Sequence, residues 1–301
     1  MTAVPDWIQL LADEHLAEAS HDEACPGTLR YITPQARLRG ISAVRLGECL
    51  SLSRPLLAGV SVRPGESRPT FRLETFAESA PAGHTTGSDR IEIDCHGLAN
   101  THLDGLNHVG LDGRWHSGQP SVAPDPDGSA DLLIGAATGV STRAVSLDIT
   151  ALRGSAWVDS PVEADELEAA VAVTGLDLQP GDAVLIYMGR DAFEASGRSY
   201  GPIGAHPDGR PGLGHSGARW LAERKISVLC WDFLDAHVPG RSPLPAHTVA
   251  WATGLVLIDN CHLGPAARAL SAMGSHAGLL TVGPLSIAGA TGSAVNPVLL
   301  Y

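Results

Sequence analysis

The chain has little positive charge. Lysine occurs once, as Lys225, and Lys plus Arg total 20 against 33 Asp plus Glu, giving a formal net charge of −13 over 301 residues. So acidic a surface repels phosphate backbones, and no basic amphipathic stretch is present to seek an anionic bilayer. Nucleic-acid and membrane partners are therefore not expected. No apolar run is long enough to span a bilayer. Cysteine is also scarce. Cys25, Cys49, Cys95, Cys230 and Cys261 are odd in number, widely spaced and without a C-x-x-C pair. That excludes a Cys-rich structural zinc site and fits reduced thiols in a cytoplasm. The opening MTAVPDWIQLLADEHLAEA has early acidic residues and no basic or long apolar segment, so it does not read as a secretory signal. It reads as an amphipathic helix from about Pro5, with Trp7, Leu10, Leu11 and Leu16 as its apolar positions. His-Glu-x-x-His does not occur, which argues against a zincin.

What is present describes a globular protein. Apolar residues make up 44% and charged residues 18%, and the length suffices for one large core. Without an internal repeat or a long linker, residues 1–301 read as a single domain. A turn is expected at Pro26-Gly27, strands near Cys49–Ser53 and Thr70–Glu74, and a polar loop over 77–89. Arg90–His96 alternates, with Ile91, Ile93 and Cys95 on one face and Glu92, Asp94 and His96 on the other, the pattern of a half-buried strand. Residues 109–130 read as a loop. A helix is expected over about 163–173, capped by Ser160-Pro161. After it come buried strands at Ala183–Met188, Ile226–Trp231 and Leu255–Ile258, with a loop over 199–214 and a helix at Ala218–Lys225. Strands at Leu279–Val282 and Leu285–Ile287 complete a mixed α/β fold without a regular βαβ repeat.

The residues that carry chemistry are concentrated between His96 and His108. Three histidines and an aspartate fall within thirteen residues: His96, His102, Asp104 and His108. Residues two apart on a strand share a face, so His102 and Asp104 point the same way. Imidazole and carboxylate are good ligands for Zn²⁺ or Mn²⁺. His108 lies beyond Gly105, where the chain can turn back, and fits either a ligand or a base beside the metal. Further on, His247 is followed twelve residues later by Asp259, which closes an apolar run and so sits at a strand end. Alone, that second pair also fits a helix-capping histidine and an aspartate turn.

Together these patches resemble the Putative cyclase superfamily, which includes bacterial kynurenine formamidases and isatin hydrolases. Thr101-His102-Leu103-Asp104 and His108 match that family's T-H-x-D and final histidine. His247 and Asp259 match its later pair, with Asp where Glu is usual. Gly27-Thr28-Leu29 to Thr33-Pro34, Pro211-Gly212-Leu213 with Trp220-Leu221-Ala222, and Gly289 to Pro297 resemble its other conserved stretches, so the likeness runs through nearly the whole chain. Leu98 stands where the family has its first ligand histidine, and Leu106 replaces a proline. His96, two residues earlier, is either a substitute ligand reached by a different backbone path or a histidine hydrogen-bonded at a strand end. The resemblance implies a swivelling β/β/α-type single domain, with a central β-barrel-like sheet flanked by helices, and a homodimer or homotetramer. It implies a divalent metal, Mn²⁺ or Zn²⁺, held by His102, Asp104, His247 and Asp259 with His96 as the further candidate, and His108 as acid/base.

The expected activity is metal-dependent hydrolysis of a cyclic or aryl amide or a lactone, on a small-molecule substrate in the cytoplasm. Ring closure at the same site, in secondary metabolism, is the alternative. A non-catalytic small-molecule binder on a degraded enzyme scaffold is the third, motivated by Leu98. Gly212-Leu-Gly-His-Ser-Gly217 imitates a dinucleotide fingerprint, with Asp232 at a plausible distance, but no strand is expected just before it. Cys95 reads as a structural thiol. Trp115 and His116 read as loop residues, and His206, His215, His237 and His276 are isolated.

Overall fold

The computed structural model describes residues 6–19, 27–58, 71–79, 81–116, 118, 120–121, 139–203, 206, 208–287 and 289–301. In chain order it has α1 (Asp6–Ala19), α2 (Pro34–Ala43), β1 (Cys49–Ser51), β2 (Phe71–Ser79), β3 (Thr85–Ile93), β4 (His102–Asp104) and β5 (Val140–Asp148). Next come α3 (Ile149–Arg153), β6 (Pro161–Val162), α4 (Ala164–Thr174), β7 (Ala183–Tyr187), α5 (Arg190–Ala195), β8 (Gly212–Leu213) and α6 (His215–Glu223). The chain ends with β9 (Val228–Trp231), α7 (Pro245–Thr253), β10 (Val256–Asp259), α8 (Gly264–Ala272), β11 (Ala277–Val282), β12 (Gly292–Ala294) and β13 (Val298–Leu300).

Nine strands form one sheet in the order β1-β13-β11-β5-β7-β9-β10-β4-β12. Its middle, β5-β7-β9-β10, is parallel. The pairs on either side are antiparallel, and the sheet curls into a half-barrel. The parallel strands are apolar on both faces, as helices covering both sides require. Val184, Ile186, Leu229, Trp231 and Leu257 pack against α1, α4, α6 and α7. Their neighbours Leu185, Tyr187, Val228, Cys230 and Ile258 face α8 and the curled antiparallel strands. Each fully buried Leu, Ile or Val side chain contributes roughly 1.5–3 kcal/mol, so this two-sided core holds the ends of β9 and β10 firmly. The expected mixed α/β fold, a barrel-like sheet flanked by helices, is observed, with the sheet closing only as far as a half-barrel. Among the described residues, no helix is long and apolar enough to cross a membrane.

Several local expectations change. The stretch 77–89 is not a loop, because β2 and β3 run through most of it as a hairpin from Phe71↔Ile93 to Ser79↔Thr85. The chain reverses through Ala82 and Gly83, both at positive φ (61° and 77°), the conformation tight hairpin turns favour. The hairpin pairs with no third strand among the described residues. Both its faces are largely solvated, which is why its sequence is polar, and Ile91 is 62% exposed rather than half-buried. Helix α4 is capped by Glu163, whose carboxylate and that of Glu166 form a capping box, while Pro161 and Val162 sit in β6. Leu285–Ile287 is not a strand. Pro26, Thr70 and 122–130 of the central loop lie outside the described residues, as does the Leu16 side chain.

Candidate metal centre

The sheet register builds the centre. Antiparallel pairing of β4 with β10 sets His102 beside Asp259, and β12 sets Gly292 beside Asp104. In β4 the middle residue, Leu103, turns into the core and is fully buried, so His102 and Asp104 share the opposite face. Trp231 and Asp259 close β9 and β10. The cluster thus lies outside the carboxyl ends of the parallel strands, where open α/β sheets place their ligands. His247 projects from the first turn of α7. Beyond β4 the chain turns, with Gly105 N–H donating to Thr291 O at 2.8 Å and His108 N–H to Gly105 O at 3.0 Å. That turn brings His108 back over Asp104.

Asp104 is the hub. Its Oδ1 lies 3.1 Å from His96 Nδ1, 3.4 Å from His102 Nε2 and 3.8 Å from His108 Nε2. Its Oδ2 lies 3.6 Å from His247 Nε2. Asp259 Oδ2 is 3.9 Å from His102 Nε2 and 3.7 Å from His247 Nε2, and Asp259 Oδ1 accepts from Trp231 Nε1 at 2.6 Å. The structure therefore brings His96, His102, Asp104, His108, His247 and Asp259 into one cluster, although the chain separates them by more than 150 positions.

The outer hydrogen bonds determine what the imidazoles present inward. His102 Nδ1 faces the carbonyl of Asn100 at 2.9 Å. A carbonyl can only accept, so Nδ1 carries the hydrogen and a neutral His102 turns its Nε2 lone pair to the carboxylates. His247 Nδ1 is bonded to the buried Asp235 carboxylate, with the same result. Lone pairs and carboxylates thus converge, and they need positive charge between them. In the metal-free protein, protons supply it. Burial alone would lower His102, but Asp104 and Asp259 outweigh it and push His102 up to about 9. His247 is raised to about 10 in the same way, against burial, chiefly by Asp235. Asp104 is held well below the usual carboxylate range, its burial outweighed by His108, His102 and His96. Asp259 is raised by burial and by the Asp104 charge. His108 is the exception, with burial lowering it to about 4 against the pull of Asp104.

A divalent cation fits this set. Both Asp104 oxygens are buried and accept no well-aligned hydrogen bond from the described residues, with imidazole nitrogens as their polar neighbours, a setting that suits a metal-bound carboxylate. Two groups, His96–His102–Asp104 and Asp104–His108–His247, each hold ligand atoms within 4.8 Å of one another. These are N and O donors of the kind that bind first-row divalent metals. The cluster is able to bind a metal ion.

Asp235 has no signal in the spacing of the motif, and only its position after a buried strand could have drawn attention to it. The Asn100 carbonyl and Thr291 hydroxyl, which fix imidazole orientation, were equally invisible. Asp232 is structural, its oxygens accepting from the backbone N–H of Met188, Gly189, Arg190 and Phe233. The dinucleotide-like Gly212–Gly217 stretch is accounted for too. The N-terminus of α6 is filled by the Glu163 carboxylate, which accepts from Ser216 N–H at 2.8 Å and from its hydroxyl at 2.6 Å. His215 bonds the Ser242 carbonyl. His116 is buried, not a surface-loop residue, and bonds the Trp251 carbonyl at 2.6 Å. The Cys95 thiol is pushed up, first by burial, so it is a poor nucleophile.

A sequence profile of the family described as "Putative cyclase" matches residues 50–237. The chain belongs to this cyclase family. The match takes in His96, His102, Asp104 and His108 and ends before His247 and Asp259, which the fold adds to the cluster. The cyclase fold extends further than the profile. A crystal structure of a novel cyclase is similar with a TM-score of 0.80 at 22% identity, covering 96% of this chain and 99% of that one. An isatin hydrolase bound to the product analogue thioisatinate is similar with a TM-score of 0.61 at 19% identity, covering 89% and 99%. A predicted metal-dependent hydrolase from Bacillus stearothermophilus reaches a TM-score of 0.52 at 16% identity, covering 84% and 97%. At these identities the likeness establishes the fold. No curated protein matches the chain.

Proposed function

We propose that this cyclase-family protein is a metal-dependent hydrolase that opens the acyl C–N or C–O bond of a cyclic or aryl amide or a lactone. The observation that carries this reading is the convergence of imidazole lone pairs and two carboxylates around Asp104, with a neutral His108 on the open side. A divalent ion held by His102, Asp104, His247 and Asp259, Zn²⁺ or Mn²⁺ by its N/O donors, supplies Lewis acidity for the acyl carbonyl and for water. His108 retains 25% side-chain exposure, against 7% or less for the four groups beneath it, and its low pKa keeps it neutral at pH 7. It can therefore take a proton as water adds to the carbonyl carbon. It returns that proton to the leaving nitrogen or oxygen as the acyl bond breaks. One water is consumed, and a carboxylate and an amine or alcohol form. Leu106, Val109, Ala250, Trp251 and Leu255 line a small pocket against His108 and His247. Their apolar surface thins the water around the reacting atoms. The hydrolase names of two structural neighbours support the same reading. We also expect a cytoplasmic homodimer or homotetramer acting on a small molecule, without nucleic-acid or membrane partners.

The test is turnover of a panel of aryl amides, cyclic amides and lactones in oxygen-18 water. Hydrolysis incorporates one labelled oxygen into the product carboxylate. A product that is isomeric with its substrate, or lighter by one water, and carries no label would show ring closure instead. Binding without any turnover by metal-loaded protein would favour a binding role.

A further inference from the structure

We propose that His96 is a further ligand of the candidate metal centre, held in place by a seat that Thr291 and Gly292 form. The proposal rests on the reading that the centre binds a divalent metal.

The backbone decides which residue of the 96–98 segment reaches the cluster. On an extended strand His96 and Leu98 would share a face. Gly97 breaks that alternation. It lies at φ +113°, a conformation that residues with a Cβ rarely adopt, and its carbonyl accepts from Asn260 Nδ2 at 2.8 Å. Across this kink Leu98 packs against the apolar core, and its carbonyl accepts from the Arg190 guanidinium. His96 turns the other way, to 3.1 Å from Asp104 Oδ1. Its ring stacks on His108 with centroids 3.9 Å apart and meets His102 edge-on at 5.1 Å.

The seat lies at the start of β12. A Cβ on residue 292 would fall 2.6 Å from His96 Cε1, 2.7 Å from the backbone oxygen of Leu103 in β4 and 3.0 Å from His96 Nε2, so only glycine fits between the ring and the neighbouring strand. The next residue back, Thr291, places its hydroxyl 2.9 Å from His96 Nε2. With Nε2–H donating to that oxygen, Nδ1 keeps its lone pair towards Asp104, the arrangement by which outer hydrogen bonds prepare histidine ligands. A lone pair facing a carboxylate oxygen at this distance is repulsive unless a cation sits between them. The Thr291 hydroxyl can accept or donate; with it accepting, His96 resembles His102 and His247, one ring nitrogen engaged on the outside and the other aimed at the carboxylates. Leu98, two positions along, has no such nitrogen.

Zinc alone is the probe, titrated into the full chain by competition with a chromophoric chelator, with thermal melting as the check on folding. His96→Ala is expected to weaken zinc binding about 10–100-fold. Gly292→Ala is expected to weaken it by displacing the ring, and the double variant should lose no more than His96→Ala alone, because both changes remove the same ligand. Leu98→Ala should retain wild-type affinity. Zinc affinity in His96→Ala within twofold of wild type overturns the proposal, and independent, additive losses overturn the role of the seat. If His96→Ala does not fold, His96→Gln and Gly292→Ala decide the matter by the same criteria. A wild-type chain that binds neither zinc nor manganese overturns the metal reading as a whole. Wild-type binding with an indifferent His96→Ala overturns only this inference.

Discussion

Asp235→Asn separates what holds the fold from what prepares the centre. Asp235 is fully buried and accepts two hydrogens from different donors. One oxygen takes the buried Ala246 N–H at 2.5 Å, in the first turn of α7, and the other takes Nδ1–H of His247. Asparagine is nearly isosteric but has one acceptor oxygen instead of two. If that oxygen stays on Ala246, the amide nitrogen faces His247 Nδ1 and forces the proton to Nε2, so His247 turns a hydrogen rather than a lone pair towards Asp104 and Asp259. If it stays on His247, a buried backbone N–H meets an N–H donor, at a cost of about 1–3 kcal/mol. Either way metal binding suffers. Outer-partner changes of this kind cost about 10–100-fold in affinity, equivalent to about 1.4–2.8 kcal/mol. Zinc or manganese titration by chelator competition measures it, with thermal unfolding of the metal-free protein alongside. Unchanged metal affinity in a folded Asp235→Asn protein would refute the assignment of His247 as an Nε2 ligand prepared by Asp235.

Two further outcomes follow from the same geometry. His108→Ala should abolish turnover, with a loss of at least about 100-fold, and leave metal content intact; loss of the metal would make His108 a ligand rather than the acid/base. The pH dependence of stability should differ with loading. His102 and His247, raised to about 9 and about 10, contribute stability that is full below their unfolded value near 6.5 and is lost as pH rises through 9 to 10. His108, lowered to about 4, acts at the other end: the unfolded chain takes up its proton first, so stability falls from about pH 6.5 down to 4. Metal-free protein should therefore have its highest Tm near pH 6.5 and lose stability towards pH 9.5. Metal-loaded protein should not show the alkaline loss, because a bound cation replaces those protons. Identical alkaline profiles with and without metal would contradict this.

Much of the site was legible because it is local. The two-residue spacing of His102 and Asp104 dictates a shared strand face whatever the fold, and Asp259 announces itself at the end of the apolar run Leu255–Ile258. The buried parallel strands were equally plain, since a segment covered on both faces must be apolar throughout. What the sequence concealed is long-range or set by the backbone. Asp235 and Thr291 act through pairings made only when α7 and β12 close on the cluster. His96 depends on the φ of Gly97, so reading it on alternation alone leaves its role open. The β2–β3 hairpin was hidden for a related reason: with solvent on both faces it has no apolar periodicity, and strands of that kind read as loops.

The central claim is that this cluster binds a divalent metal through Asp104. The most direct test is elemental analysis of protein purified without chelator and then incubated with Zn²⁺ or Mn²⁺, wild type beside Asp104→Ala. The account predicts at least about one equivalent of metal per chain in the wild type, lost in the variant. A wild type that takes up neither metal, or an Asp104→Ala protein that binds as much as the wild type, would contradict it.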